Sequence, residues 1–160
     1  MIRDTPDGEF EELEPQIIKE VWNSYQLDDG SRIHARIVLM KVLWPKGVRP
    51  KQGEAVQVQG RLSPLVTIFS PAKLRGNPNP NPPSAAILPN FKTQESEIVD
   101  SNEDWNVYRL PGKLGGLKTK MVVSSIYRVM GVFDQYGDPF YIVNSTTVLG
   151  PTSPREVATP

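Results

Sequence analysis

The sequence predicts an all-β protein: two tandem, small antiparallel β-meander or half-barrel units, joined by a proline-rich linker and flanked by flexible termini. Three observations predict it. Strand-like alternation occurs on both sides of the middle of the chain, a Trp-Asn-x-Tyr-x-Leu motif occurs twice, and a proline run lies between the copies.

The repeat is the most specific signal. Glu20-Val-Trp-Asn-Ser-Tyr-Gln-Leu27 matches Glu103-Asp-Trp-Asn-Val-Tyr-Arg-Leu110 at an offset of 83. After one inserted residue the offset becomes 84 and runs to Leu65 and Leu149, with ten identities over the 41 aligned positions. Two of the three tryptophans, Trp22 and Trp105, occupy the same place in it, which reads as an internal duplication. The rival explanation is two unrelated strands that share an aromatic alternation.

Taken in order, residues 1–18 form an acidic N-terminal arm with six acids and one base. Glu11 to Val21 is the one stretch with the composition of a short helix, and Pro15 interrupts it. Residues 19–70 make the first β unit. Trp22 to Leu27 is its first strand, and Asp28-Asp29-Gly30 is a turn in which Gly30 takes positive φ. From Arg32 to Leu43 the residues alternate, with Ile33, Ala35, Ile37 and Leu39 on one face and Arg32, His34 and Arg36 on the other. A further strand follows from Glu54 to Gln59, with Val56 and Val58 inward, and Leu65 to Phe69 supplies a fourth.

Residues 71–92 hold six of the sixteen prolines and read as an extended, semi-rigid spacer between two units. Residues 93–150 repeat the first unit. Leu117, Thr119 and Met121 face one way and Lys118 and Lys120 the other, and Val132 to Val143 is an aromatic hairpin with a glycine-containing turn. Residues 151–160 have no apolar face and are expected to fray.

Chemistry is sparse. There is no cysteine, which removes disulfides, thiolate metal sites and thiol catalysis, and there is a single histidine. His34 lies between Arg32 and Arg36, whose charge repels a metal cation, so it reads as a surface strand residue rather than a catalytic one. The carboxylate pairs Asp28/Asp29, Glu103/Asp104 and Asp134/Asp138 are options for acid–base work, but two of them sit in sequences that turns select. Pro111 to Gly116 lacks the spacing of a phosphate loop and reads as a lengthened hairpin turn. No cofactor or metal is expected.

The basic residues carry the one functional pattern. Eighteen bases balance eighteen acids overall, yet residues 19–92 hold eleven bases against four acids. Arg32, Arg36, Lys41, Arg61, Lys118 and Lys120 are the candidate anion-binding residues, as a single positive stripe on one face. Edge protection of strands explains the same residues without a ligand. Trp22, Tyr25, Trp105 and Tyr108 are the structural aromatics of the repeat, expected in the core or between the copies, where burial of a ring is worth about 3–5 kcal/mol.

The expected function is a non-catalytic binding or assembly protein. The alternative is a nucleic-acid or other polyanion-binding module, and a carboxylate-dependent enzyme is a weaker third. The expected partner is a protein or a polyanion, with self-association a further option. No segment reads as a signal or a membrane span, so a cytoplasmic location is expected.

Overall fold

The computed structural model describes residues 2–48 and 58–152. Its strands are β1 (Ile2–Asp4), β2 (Phe10–Leu13), β3 (Gln16–Lys19), β4 (Asn23–Leu27), β5 (Arg32–Pro45), β6 (Gln59–Phe69), β7 (Thr93–Ser96), β8 (Ile98–Asn102), β9 (Asn106–Arg109), β10 (Gly116–Phe133) and β11 (Pro139–Pro151). They form a six-stranded and a five-stranded antiparallel sheet, and neither closes into a barrel. No described helix is long and apolar enough to cross a membrane.

Each sheet is organised about one long strand. β5 carries β6 along one edge, while its other edge takes β4 at Arg32–Ala35 and β2 at Val42–Pro45. β10 carries β11 along one edge, with β9 at Gly116–Thr119 and β7 at Ile126–Val129 on the other. Both long strands have an irregular register at the same place, between Leu39 and Lys41 against β6 and between Val123 and Ser125 against β11. Positions 84 apart on the long strands therefore correspond. On the following strands the correspondence is 83, because Leu65 lies opposite Arg36 and Val148 opposite Lys120. The offset of 84 read from the sequence slips by one residue there.

The division into two sequential units is corrected by strand exchange. β3 lies between β2 and β4 in the chain but pairs with β9 in the second sheet. β8 lies between β7 and β9 but pairs with β4 in the first. Neither sheet is complete without a strand from the other half of the chain. The acidic segment is likewise not an arm, since β1, β2 and β3 take up most of it. The expected helix from Glu11 to Val21 is instead β2, the Glu14-Pro15 break and β3. Residues 10–13 pair with 42–45, and Pro15, which has no N–H to donate, falls outside the ladders.

The inward faces of the two sheets meet. Tyr25, Leu27, Ile33, Ala35 and Ile37 of the first pack with Met121, Val123, Ile126 and Tyr141 of the second. Leu13, Leu39, Val42 and Trp44 pack with Tyr108, Leu110 and Leu117. The alternation read along β5 holds: Ile33, Ala35, Ile37 and Leu39 are buried, and Arg32, His34 and Arg36 are not.

Among the described residues, no strand neighbours the edge of β5 between β4 and β2, and the same gap lies between β9 and β7 on β10. Side chains fill these gaps reciprocally. Asn106 Nδ2 donates to the Ile37 carbonyl at 2.8 Å, and Asn106 Oδ1 accepts the Val21 N–H at 2.9 Å. Asn23 Nδ2 donates to the Met121 carbonyl and Asn23 Oδ1 accepts the Asp104 N–H, each at 3.1 Å. The Leu39 N–H donates to the Tyr108 hydroxyl at 3.4 Å. Interior backbone groups without a ladder partner thus find one in the opposite sheet.

The proline-rich segment is docked and does not stand off as a spacer. The Gly76 N–H donates to the Gly137 carbonyl at 2.9 Å and the Asn79 N–H to the Asp134 carbonyl at 2.8 Å, both at the turn between β10 and β11. A Cβ at Gly76 would collide with the Phe133 ring, so the close approach requires glycine. Leu88 is buried against Val129 and Val132. The expected strand at Glu54 to Gln59 lies mostly outside the described residues, as does nearly all of the tail.

Asn23→Ala and Asn106→Ala should each cost about 1–3 kcal/mol, because each leaves a buried carbonyl and a part-buried N–H unpaired. Urea midpoints shifted to a similar extent in both variants would show that the two ties are equivalent.

Candidate anion-binding face

The six basic candidates do not form one stripe. Arg32 and Arg36 stand on the outward face of the first sheet, whereas Lys118 and Lys120 stand on the outward face of the second. The inward faces of the sheets pack on each other, so the two pairs belong to separate surfaces. Lys41 and Arg61 lie opposite each other farther along β5 and β6, which places them with Arg32 and Arg36.

The tryptophans are also corrected. Trp22 precedes β4 and is 46% exposed, and Trp105 precedes β9 and is half-buried. Tyr25 and Tyr108, two residues into the alternating strands, are the rings that enter the core, at 1% and 0% exposure. The alternation of a strand sends Asn and Tyr of the motif inward together and leaves Trp at the strand entry, outside the packed face.

Each tryptophan carries cations from the neighbouring long strand. The Arg36 guanidinium lies over the Trp22 ring at 5.5 Å. Lys118 and Lys120 lie over the Trp105 ring at 4.6 and 5.5 Å. On the first sheet the arrangement extends further. The His34 ring centroid is 6.4 Å from that of Trp22 and 5.1 Å from that of Phe69, and Arg32 lies over Phe69 at 5.5 Å. Three rings therefore run across the sheet from the entry of β4, over β5, to β6. Phe69 is 49% exposed, and Leu65, four residues away on the same strand and opposite Arg36, is also open to solvent.

The charges on this face differ in their freedom. Arg36 is ion-paired with Glu20, whose carboxylate is buried and accepts the Tyr108 hydroxyl at 2.8 Å. Lys41 reaches Glu12 at 3.5 Å, and Glu12 also binds Arg3. The Arg3 guanidinium beside Glu12 holds its carboxyl below the usual range. Among the described residues, no carboxylate lies within ion-pairing distance of Arg32 or Arg61. On the second sheet, Asp104 is taken by Lys19 at 2.6 Å, and that bond holds its carboxyl low.

Glu20 is the residue that sequence reasoning missed. It joins the core to the face by holding Arg36 on one oxygen and Tyr108 on the other. The signal was its identity with Glu103 at the start of the repeat. The Tyr25 hydroxyl sits near Glu103 but is buried without a regular hydrogen bond, and burial pushes its phenol up.

Of the carboxylate pairs, every member but Glu103 is occupied by a structural tie. Asp29 accepts the Ser31 N–H at 2.8 Å within its turn, and also receives the Tyr141 hydroxyl at 2.6 Å and Arg128 at 3.4 Å. Asp134 Oδ1 caps its turn by accepting the Tyr136 and Asp138 N–H groups at 2.8 and 2.9 Å. Asp138 is held by Ser70 and Arg75. Among the described residues, no three His, Asp or Glu side chains converge as metal ligands. The segment from Pro111 makes the turn between β9 and β10, closed by the Leu110 N–H donating to the Gly115 carbonyl at 2.8 Å, with Gly116 already the first residue of β10.

Trp22→Ala should cost about 1 kcal/mol or less, as expected of an exposed site. Tyr25→Ala or Tyr108→Ala should cost about 3–5 kcal/mol, as expected of a core ring. Urea denaturation of the three variants measures the difference. Burial, and then the bond to Glu20, push the Tyr108 phenol up from 10.0 to about 12. A raised value favours the neutral phenol in the folded state, so its stabilisation is complete below pH 10 and is lost as pH rises towards 12. The decline of the urea midpoint over that window should be shallower in Tyr108→Phe.

No protein-family model matches this chain, and comparison with curated proteins and with solved structures returned no match.

Proposed function

We propose that this chain is a non-catalytic binding protein, formed by internal duplication, that receives a polyanionic ligand on the outward face of its first sheet. The observation that carries this reading is the row of exposed Trp22, half-buried His34 and exposed Phe69, bordered by Arg32 and Arg36. Trp22 and Phe69, large rings left in water each with a guanidinium over it, are not needed for the core and mark an interaction surface. Arg32 and Arg61 supply charge that, among the described residues, no carboxylate neutralises.

The duplication is supported by the matched register irregularities of β5 and β10 and by the reciprocal bonds of Asn23 and Asn106. In this reading the two halves descend from one unit that paired with its own copy by exchanging a strand. The second half has diverged on its outward face, where lysines replace His34 and Arg36 and no phenylalanine matches Phe69.

Self-association is a second reading, favoured by β6. No strand pairs with its outer edge among the described residues, and Leu65, Val66 and Phe69 are all exposed on it. Pro64 lies in this strand and removes one donor, which limits edge-to-edge pairing. A monomeric mass in sedimentation equilibrium would set this reading aside.

Retention on immobilised heparin tests the polyanion reading. Binding should weaken as salt rises, and Arg32→Ala and Arg61→Ala should each lower the slope of log affinity against log salt by about one. Lack of retention at low salt would refute it.

A further inference from the structure

We infer that the ligand of this face is single-stranded nucleic acid, its bases stacked on Trp22 and Phe69 and its phosphates held by Arg32, Arg36 and Arg61; this rests on the polyanion reading above. Charge alone does not distinguish a single strand from a duplex or a sulfated polysaccharide. Accessible aromatic faces do, because in a duplex the bases are already stacked on one another and sealed inside.

Three features of the face favour a single strand. The first is the disposition of the rings. Trp22 and Phe69 flank the His34 ring across the outward face of the first sheet and are both exposed, so successive unstacked bases can reach them side by side. The second is the placement of the cations. Arg36 and Arg32 each lie over one ring, yet Trp22 and Phe69 remain 46% and 49% exposed, so each ring keeps free surface beside a phosphate-binding group.

The third is rigidity. Arg36 is anchored by Glu20, which is anchored in turn by Tyr108 of the core, so the guanidinium against the Trp22 ring is positioned before any ligand arrives. Farther along the same face, Arg61 lies opposite Lys41, in line with Leu65 and Phe69 on β6. A strand following β5 and β6 would pass from Phe69 towards Arg61. On the second sheet the Trp105 ring is already covered by Lys118 and Lys120.

Fluorescence anisotropy of a labelled oligothymidylate with the full chain at low ionic strength tests the assignment, with a duplex of equal length and heparin as competitors. The single strand should bind at least about tenfold tighter than the duplex. Trp22→Leu and Phe69→Leu should each weaken it about 5- to 150-fold, as expected for loss of one stacked base. Trp22→Phe, which keeps a ring, should retain most of the affinity, and an unchanged urea midpoint in each variant shows that the fold is intact. Equal binding of single strand, duplex and heparin, insensitive to both leucine variants, would overturn the stacking assignment and leave the polyanion reading standing. Affinity lost in Lys118→Ala with Lys120→Ala, but kept in Trp22→Leu, would overturn the choice of face. Binding of none of the three polyanions would overturn both readings.

Discussion

The fold depends on satisfying the backbone of two long strands where their short neighbours leave off. β5 and β10 each run past a gap on one edge, and the gap lies against the interior, where an unpaired amide or carbonyl is costly. Asn106 closes the gap at Ile37 and Asn23 closes it at Met121, each from the opposite sheet. The same asparagines accept an N–H from the segment that leads into the opposite sheet, at Val21 and Asp104. One residue type thus fixes the separation of the sheets, their register and the path of the chain between them.

Strand exchange follows from the same arrangement. With β4 and β9 locked across the interface, β3 and β8 add to the strand that lies nearest in space and not to their neighbours in sequence. The outcome is a single interlocked body in which hydrophobic contacts, ladder hydrogen bonds and buried polar ties all cross between the halves. The far end of the interface is tied similarly, by Tyr141 bonded to both Ser31 and Asp29 and by Arg128 beside them. The Pro-Asn segment is held to the β10–β11 turn by backbone hydrogen bonds, which converts a stretch with no capacity for regular structure into a brace.

The core and the proposed binding face communicate through Glu20. Its buried carboxylate holds Arg36 and accepts Tyr108, so a residue of the surface row shares a hydrogen-bonded partner with a ring of the interior. The equivalent site around Glu103 and Tyr25 lacks the regular hydrogen bond, and its tryptophan is overlaid by lysines. The two surfaces share a plan but differ in rigidity and in how their tryptophans are covered, and this asymmetry concentrates the proposed function on the first sheet.

Sequence alone determined that this protein is β, where its turns fall, and which residues of β5 and β10 face inward, because local alternation and turn chemistry act over a few residues. The repeated Trp-Asn-x-Tyr was visible for the same reason, and so was the correspondence between the halves. What it could not decide was which member of that motif is buried, since Trp and Tyr are both large and differ only in their place relative to the first ladder bond. Nor could it place Arg32 and Lys118 on separate surfaces, or bring β3 to β9 and β8 to β4. Those outcomes depend on which edges and faces meet across long separations in the chain, and only the packed tertiary structure selects among them.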